Sequence, residues 1–158
     1  MTEAVSLVHP LAFSPDEVFQ HFVDPELLVR WFYPEGCKPE RAILEPRIGG
    51  LFAVDMKTVD DLTLSVRGQV LELSFNTRLR FTWKWTSGPL VSVPESVVDL
   101  EFKATKSGTT LLIKQGFFSS EELMQEHARG WEMALKRLEG FGAKDGLRKS
   151  NQEREHEG

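Results

Sequence analysis

Between residues 78 and 85 apolar and polar side chains alternate without a break: Leu79, Phe81, Trp83 and Trp85 stand between Arg78, Arg80, Thr82 and Lys84. A period of two predicts a strand with one buried face. The same period puts Phe52, Val54 and Met56 on one face of LFAVDM, and Val98, Leu100 and Phe102 on one face of VVDLEFK. LTLSVRGQVLEL and TTLLIKQGFF also have strand composition, but their apolar residues fall on both parities, so their facing stays open. Turn-forming residues separate these runs: Gly49-Gly50, Asp60-Asp61, SFNT, SGP and KSG.

Other signals flank this region. Residues 3–13 read as a first strand in which Pro10 marks an edge or a bulge. Ser14, Pro15 and Glu17 then predict a helix start, and Asp24 with Pro25 repeats it. YPEGCKPE reads as a loop. After residue 118, Ser119 followed by Glu122 forms a capping box, and Met124, Ala128, Trp131, Leu135 and Leu138 recur at helical spacing. Gly130 interrupts that helix at a cost of about 1 kcal/mol relative to alanine. We expect it to let helix backbone approach sheet backbone while Trp131 fills the wider space beside it; the alternative is a hinge over a pocket. Residues 142–158 are polar and predict a mobile tail behind a domain spanning 1–141.

The order is strand, two short helices, about six strands and one long C-terminal helix. Strands in succession imply an antiparallel sheet and an α+β class, with the last helix covering the apolar face. The chain of 158 residues fits one domain. Eleven Phe and four Trp against one Tyr make large apolar rings the dominant core material. A net charge of −5 disfavours a nucleic acid or an anionic membrane as partner. One cysteine, Cys37, cannot form an intrachain disulfide and fits a reducing cytoplasm. The first residues carry an acid and lack a basic-then-apolar order, so no signal peptide is expected. No apolar run is long enough for a membrane span.

Several stretches together resemble a known family. SPDEVFQHFVDPELLVRWF, EPRIGGLFAVDM, GQVLEL with RLRFTW, and HARGWEMALKRLEGF are similar, in this order, to the activator-of-heat-shock-protein-90-ATPase-like branch of the START-like superfamily. The resemblance covers roughly residues 5–141. It implies a helix-grip fold: a curved seven-stranded sheet wrapped on the C-terminal helix, with an apolar cavity between them. One departure is Ser74-Phe75-Asn76-Thr77, where the family often has a Pro-Pro turn. The family's eponymous co-chaperone also has a chaperone-binding domain for which 158 residues leave no room, so a chaperone partner has no support in this sequence.

The sequence holds little that points to catalysis. Its four histidines have no ligand-like spacing, and no metal site, cofactor or catalytic residue is expected. Glu121 and Glu122 sit in a helix's first turn, where they favour the dipole. On the inferred fold, Trp31, Phe52, Val54, Met56, Phe81, Trp83, Trp85, Leu100, Phe102, Trp131 and Leu135 form the cavity wall. His127, Lys114 and Arg47 are candidate polar contacts. Three functions compete: binding of a small hydrophobic molecule (lipid, isoprenoid or aromatic polyketide), a cyclase using the same cavity, and a protein–protein adaptor. Binding is favoured, because a cyclase needs acid–base groups among wall positions that are almost all apolar. A homodimer is open, being the commonest assembly.

Overall fold

The computed structural model describes the backbone of residues 3–157 and the side chains of residues 3–141. Strand β1 (Glu3–Leu11) leads into helices α1 (Pro15–Val23) and α2 (Pro25–Trp31). Six strands follow: β2 (Cys37–Leu44), β3 (Leu51–Thr58), β4 (Thr63–Ser74), β5 (Arg78–Ser87), β6 (Ser96–Thr105) and β7 (Gly108–Phe118). Helix α3 is assigned over Glu121–Glu157. The strands form one antiparallel sheet in the order β1-β7-β6-β5-β4-β3-β2. The α+β helix-grip architecture expected from the sequence is therefore the fold.

Local chemistry explains the helix starts. The Ser14 hydroxyl accepts from the Glu17 amide at 3.2 Å, and the Asp24 carboxylate accepts from the Glu26 amide at 2.9 Å. Each satisfies one of the amides that a helix start leaves without a partner. Helix α3 is capped one residue later than expected, by Ser120, whose hydroxyl accepts from the Leu123 amide at 3.2 Å. The expected loop around Cys37 is also shorter, because β2 already begins there. Pro39 is tolerated in β2, as Pro10 is in β1, because both strands lie at sheet edges. The expected mobile tail falls on side chains outside the described residues.

The two strands with mixed parity owe it to irregular pairing. In β4 the register against β5 shifts between Ser65 and Val66 and again between Val70 and Glu72. At the second shift the extra residue lies on β4 and moves its inward face from Val66 and Val70 to Leu73, whereas at the first it lies on β5. On β7 the buried residues run through Thr109, Leu111, Ile113 and Gln115, then change parity to reach Phe118.

One strand-to-strand contact depends on a glycine. A Cβ at Gly68 would collide with the carbonyl of Thr82 on β5. The Gln69 amide donates to the Thr82 hydroxyl at 2.9 Å beside it. This close approach of backbones is the role expected of Gly130, but it is found in the sheet and not in the helix. Gly68→Ala should therefore lower stability by about 1–3 kcal/mol, the usual cost of overpacking. A urea melt measures it, and an unchanged midpoint would show that the strand yields freely there.

The core fills the concave side of the sheet. Phe19, Phe22, Trp31, Phe52, Phe81 and Leu100 are all essentially inaccessible. The Trp31 indole donates to the His21 carbonyl at 3.0 Å, tying α2 to α1. Each such ring contributes roughly 1.5–3 kcal/mol by leaving water.

Candidate functional site

One end of the space between sheet and α3 is not filled. It holds a pocket of about 200 Å³, lined by three structural groups. The sheet supplies Met56, Leu64, Trp83 and Trp85, with Leu90 from the β5–β6 connection. The segment after α2 supplies Phe32, Tyr33 and Pro34. Helix α3 supplies Glu126, His127, Gly130, Trp131 and Ala134.

The helix positions follow from its period. Residues 127, 130, 131 and 134 are spaced three, one and three apart, so one face presents them all to the void. Leu135 and Leu138 belong to the adjoining stripe and are fully buried in the core. Nothing lies within 4 Å of where a Gly130 Cβ would be. The expected close approach at Gly130 is thus overturned: this glycine leaves space, and the space belongs to the pocket.

The wall is held by buried polar bonds. The Trp131 indole donates to the Gln115 side-chain oxygen at 2.8 Å, and the Gln115 amide donates to the Ser96 hydroxyl at 3.0 Å. The Trp85 indole donates to His127 Nε2 at 3.0 Å. His127 Nδ1 lies 2.8 Å from the Leu123 carbonyl, and the Phe118 ring stacks at 4.3 Å between centroids. One tautomer satisfies both bonds, the neutral one with its proton on Nδ1. The segment after α2 is pinned by Arg137, which donates to the carbonyls of Trp31 at 3.2 Å and Tyr33 at 2.7 Å. Its guanidinium also lies 3.8 Å over the Tyr33 ring.

Burial pushes the His127 imidazole below its ordinary pKa, against the opposing pull of the Leu123 carbonyl and the Glu126 charge. The unfolded chain therefore takes up a proton that the folded chain refuses. The resulting stability is complete above about pH 6.5 and is lost as pH falls toward the depressed folded value. Thermal melts from about pH 7.5 to about pH 5 should show a falling midpoint, and His127→Gln should flatten that fall. An equal fall in the variant would assign the effect to other groups.

Of the side chains expected to form the wall, Met56, Trp83, Trp85 and Trp131 line the pocket, and so does His127. Trp31, Phe52, Val54, Phe81, Leu100, Phe102 and Leu135 are buried elsewhere in the core and do not line it. Several of them are packed ring against ring. Phe52 has its centroid 4.5 Å from Phe81 and 5.5 Å from Trp83, while Trp31 and Phe102 both pack edge-on against Phe22. Lys114 and Arg47, expected as inward polar contacts, are exposed. Lys114 stands opposite Asp99 in the register, and Arg47 pairs with Glu45 at 3.4 Å. For a charged side chain without a buried partner, solvent is the lower-energy choice.

Sequence reasoning missed Phe32, Tyr33, Pro34, Leu64, Leu90, Glu126 and Ala134. The 127–130–131–134 spacing could have identified the helix face. No periodic signal marks the loop residues.

Among the described residues, no group of three His, Cys, Asp or Glu side chains could hold a metal ion. Among them too, no helix is long and apolar enough to cross a membrane.

Comparisons with known proteins place this geometry in context. The profile of the family described as "Activator of Hsp90 ATPase homolog 1-like protein" matches residues 12–142. No curated protein matches the chain. Among solved structures, protein CV1439 from Chromobacterium violaceum is similar at 23% identity, over 88% of this chain and 96% of that one, with a TM-score of 0.79. The AHSA1 protein from Silicibacter pomeroyi is similar at 23% identity, over 90% and 99%, with a TM-score of 0.78. CalU16 from Micromonospora echinospora is similar at 26% identity, over 96% and 83%, with a TM-score of 0.67.

Proposed function

We propose that this chain, which belongs to the Activator of Hsp90 ATPase homolog 1-like protein family of the START-like superfamily, binds a small, largely apolar molecule in the pocket between sheet and α3. The observation that carries this reading is the gap at Gly130, facing a wall of Trp83, Trp85, Trp131 and Phe32. Apolar walls with few polar groups are the usual form of a small-molecule site. Leaving such a gap unfilled costs stability, because its lining loses dispersion contacts. A bound ligand restores them.

Volume narrows the ligand class. An engineered apolar cavity of about 150 Å³ accepts benzene, so about 200 Å³ suits one substituted ring, a short isoprenoid or the end of a lipid chain. A fused polycyclic polyketide would leave most of its body outside. Binding is favoured over cyclase chemistry because both nitrogens of His127 are already engaged, leaving no imidazole free to move a proton.

Tryptophan emission tests the reading directly, since three of the four Trp line the pocket. Titration with single-ring aromatics and short isoprenoids should give saturable changes at micromolar affinity, about −8 kcal/mol. A panel that produces no saturable change would refute it.

A further inference from the structure

The wall's donors and charges carry the reading one step further, to the chemistry of the ligand. Each indole N–H in the wall is unavailable to a guest. Trp85 donates to His127, Trp131 donates to Gln115, and the Trp83 N–H is buried without an acceptor and exposes no surface to the void. His127 is an acceptor toward Trp85 and its other nitrogen meets the Leu123 carbonyl, so it offers no N–H either. Among the described lining residues, Glu126 is the only acid, and no Lys or Arg lines the pocket.

Two cations beside wall residues are turned to other work. Arg137 does not line the void: it is bonded to the Trp31 and Tyr33 carbonyls, and its guanidinium is stacked on the Tyr33 ring, which stands between it and the pocket. Lys84 lies between Trp83 and Trp85 in sequence, so its side chain takes the opposite face of β5. There its ammonium donates to the carbonyls of Trp85, Val91 and Val93. A carboxylate, sulfonate or phosphate entering the pocket would meet a negative charge and no side-chain cation to pair with it.

What remains on offer is π surface beside one acid, with the Tyr33 hydroxyl as the one neutral side-chain donor that no bond among the described residues engages. Trp83 has its centroid 5.8 Å from Trp85, 6.2 Å from Trp131 and 6.0 Å from Phe32. Clustered aromatic faces attract an organic cation through their quadrupoles, most strongly where water is excluded. A nearby carboxylate adds a long-range attraction. From this inventory we infer that the ligand is an apolar molecule bearing a tertiary or quaternary ammonium group, and that anionic lipids are excluded.

The inference rests on the binding reading above, and three probes of one shape separate the two. They are benzyltrimethylammonium, its neutral carbon isostere neopentylbenzene, and the anion phenylmethanesulfonate, each titrated calorimetrically into the full chain. The cation should bind at least fivefold tighter than the neutral isostere, and the sulfonate should give no saturable heat. Glu126→Gln, an exposed position where folding is not at stake, should lower cation affinity severalfold more than neutral affinity. Raising the salt concentration should narrow the same gap. A neutral probe that binds as tightly as the cation, or a sulfonate that binds at all, overturns the cation preference and leaves the binding reading standing. If none of the three binds, the cation preference falls, and the binding reading falls with it if the short isoprenoids also give no saturable change.

Discussion

Gly130→Leu should leave the protein folded and abolish ligand binding. A Cβ at this position meets nothing within 4 Å and Gly130 lines the pocket, so leucine has open space to enter. Leucine is also the better helix former, by about 0.8–1 kcal/mol. The melting temperature should therefore hold or rise by about 2–4 °C, the shift about 1 kcal/mol produces in a domain of this size. The four side-chain carbons occupy the volume that a ligand needs. Affinity should fall at least 100-fold, or about 2.7 kcal/mol, in the same tryptophan titration. A destabilised variant would mean that the helix sits closer to the sheet than this geometry has it. A stable variant that still binds would place the ligand elsewhere.

Phe52→Ala should produce the opposite outcome, a large loss of stability. Phe52 is inaccessible to solvent and touches Phe81, Trp83 and Phe32, so it supports two wall residues from behind. Removing a buried phenylalanine costs about 3–5 kcal/mol, through lost transfer energy and the cavity left behind. The melting temperature should drop by roughly 6–20 °C. In urea the midpoint should move while the slope stays constant, because the unfolded chain exposes nearly the same surface. Phe52→Leu should recover most of the loss. If alanine costs under 1 kcal/mol, the core around Phe52 is loosely packed and the pocket has no firm back wall.

These two positions show what the sequence could and could not convey. Alternation along β5 states that Leu79, Phe81, Trp83 and Trp85 face inward, and all four do. It cannot state what lies opposite each of them. Phe81 meets Phe52 and becomes core, whereas Trp83 and Trp85, farther along the same strand, reach the unfilled end. A period fixes a face, and only the tertiary arrangement fixes whether that face meets a neighbour or a void. The glycines show the same limit. Gly68 and Gly130 look alike in the chain, yet one sits against a carbonyl and the other against empty space. Caps were legible because their hydrogen bonds span only two or three residues. The Phe32–Tyr33–Pro34 wall was not, because it is positioned by Arg137, about 100 residues later.

The sheet order also governs how the protein is made. β1 pairs only with β7, Glu3 opposite Phe118 and Leu11 opposite Thr109, so the first strand to leave the ribosome waits for the last. At synthesis rates of about 5–20 residues per second, the roughly 100 intervening residues take some 5–20 s to appear. For that interval β1 has no partner, and its Val5, Leu7 and Leu11 stay available to other chains or to a chaperone. The sheet's last hydrogen-bonded ladder therefore closes only after β7 has been made. Ribosome-stalled chains ending before β7 should bind a holdase, and chains extending past α3 should release it.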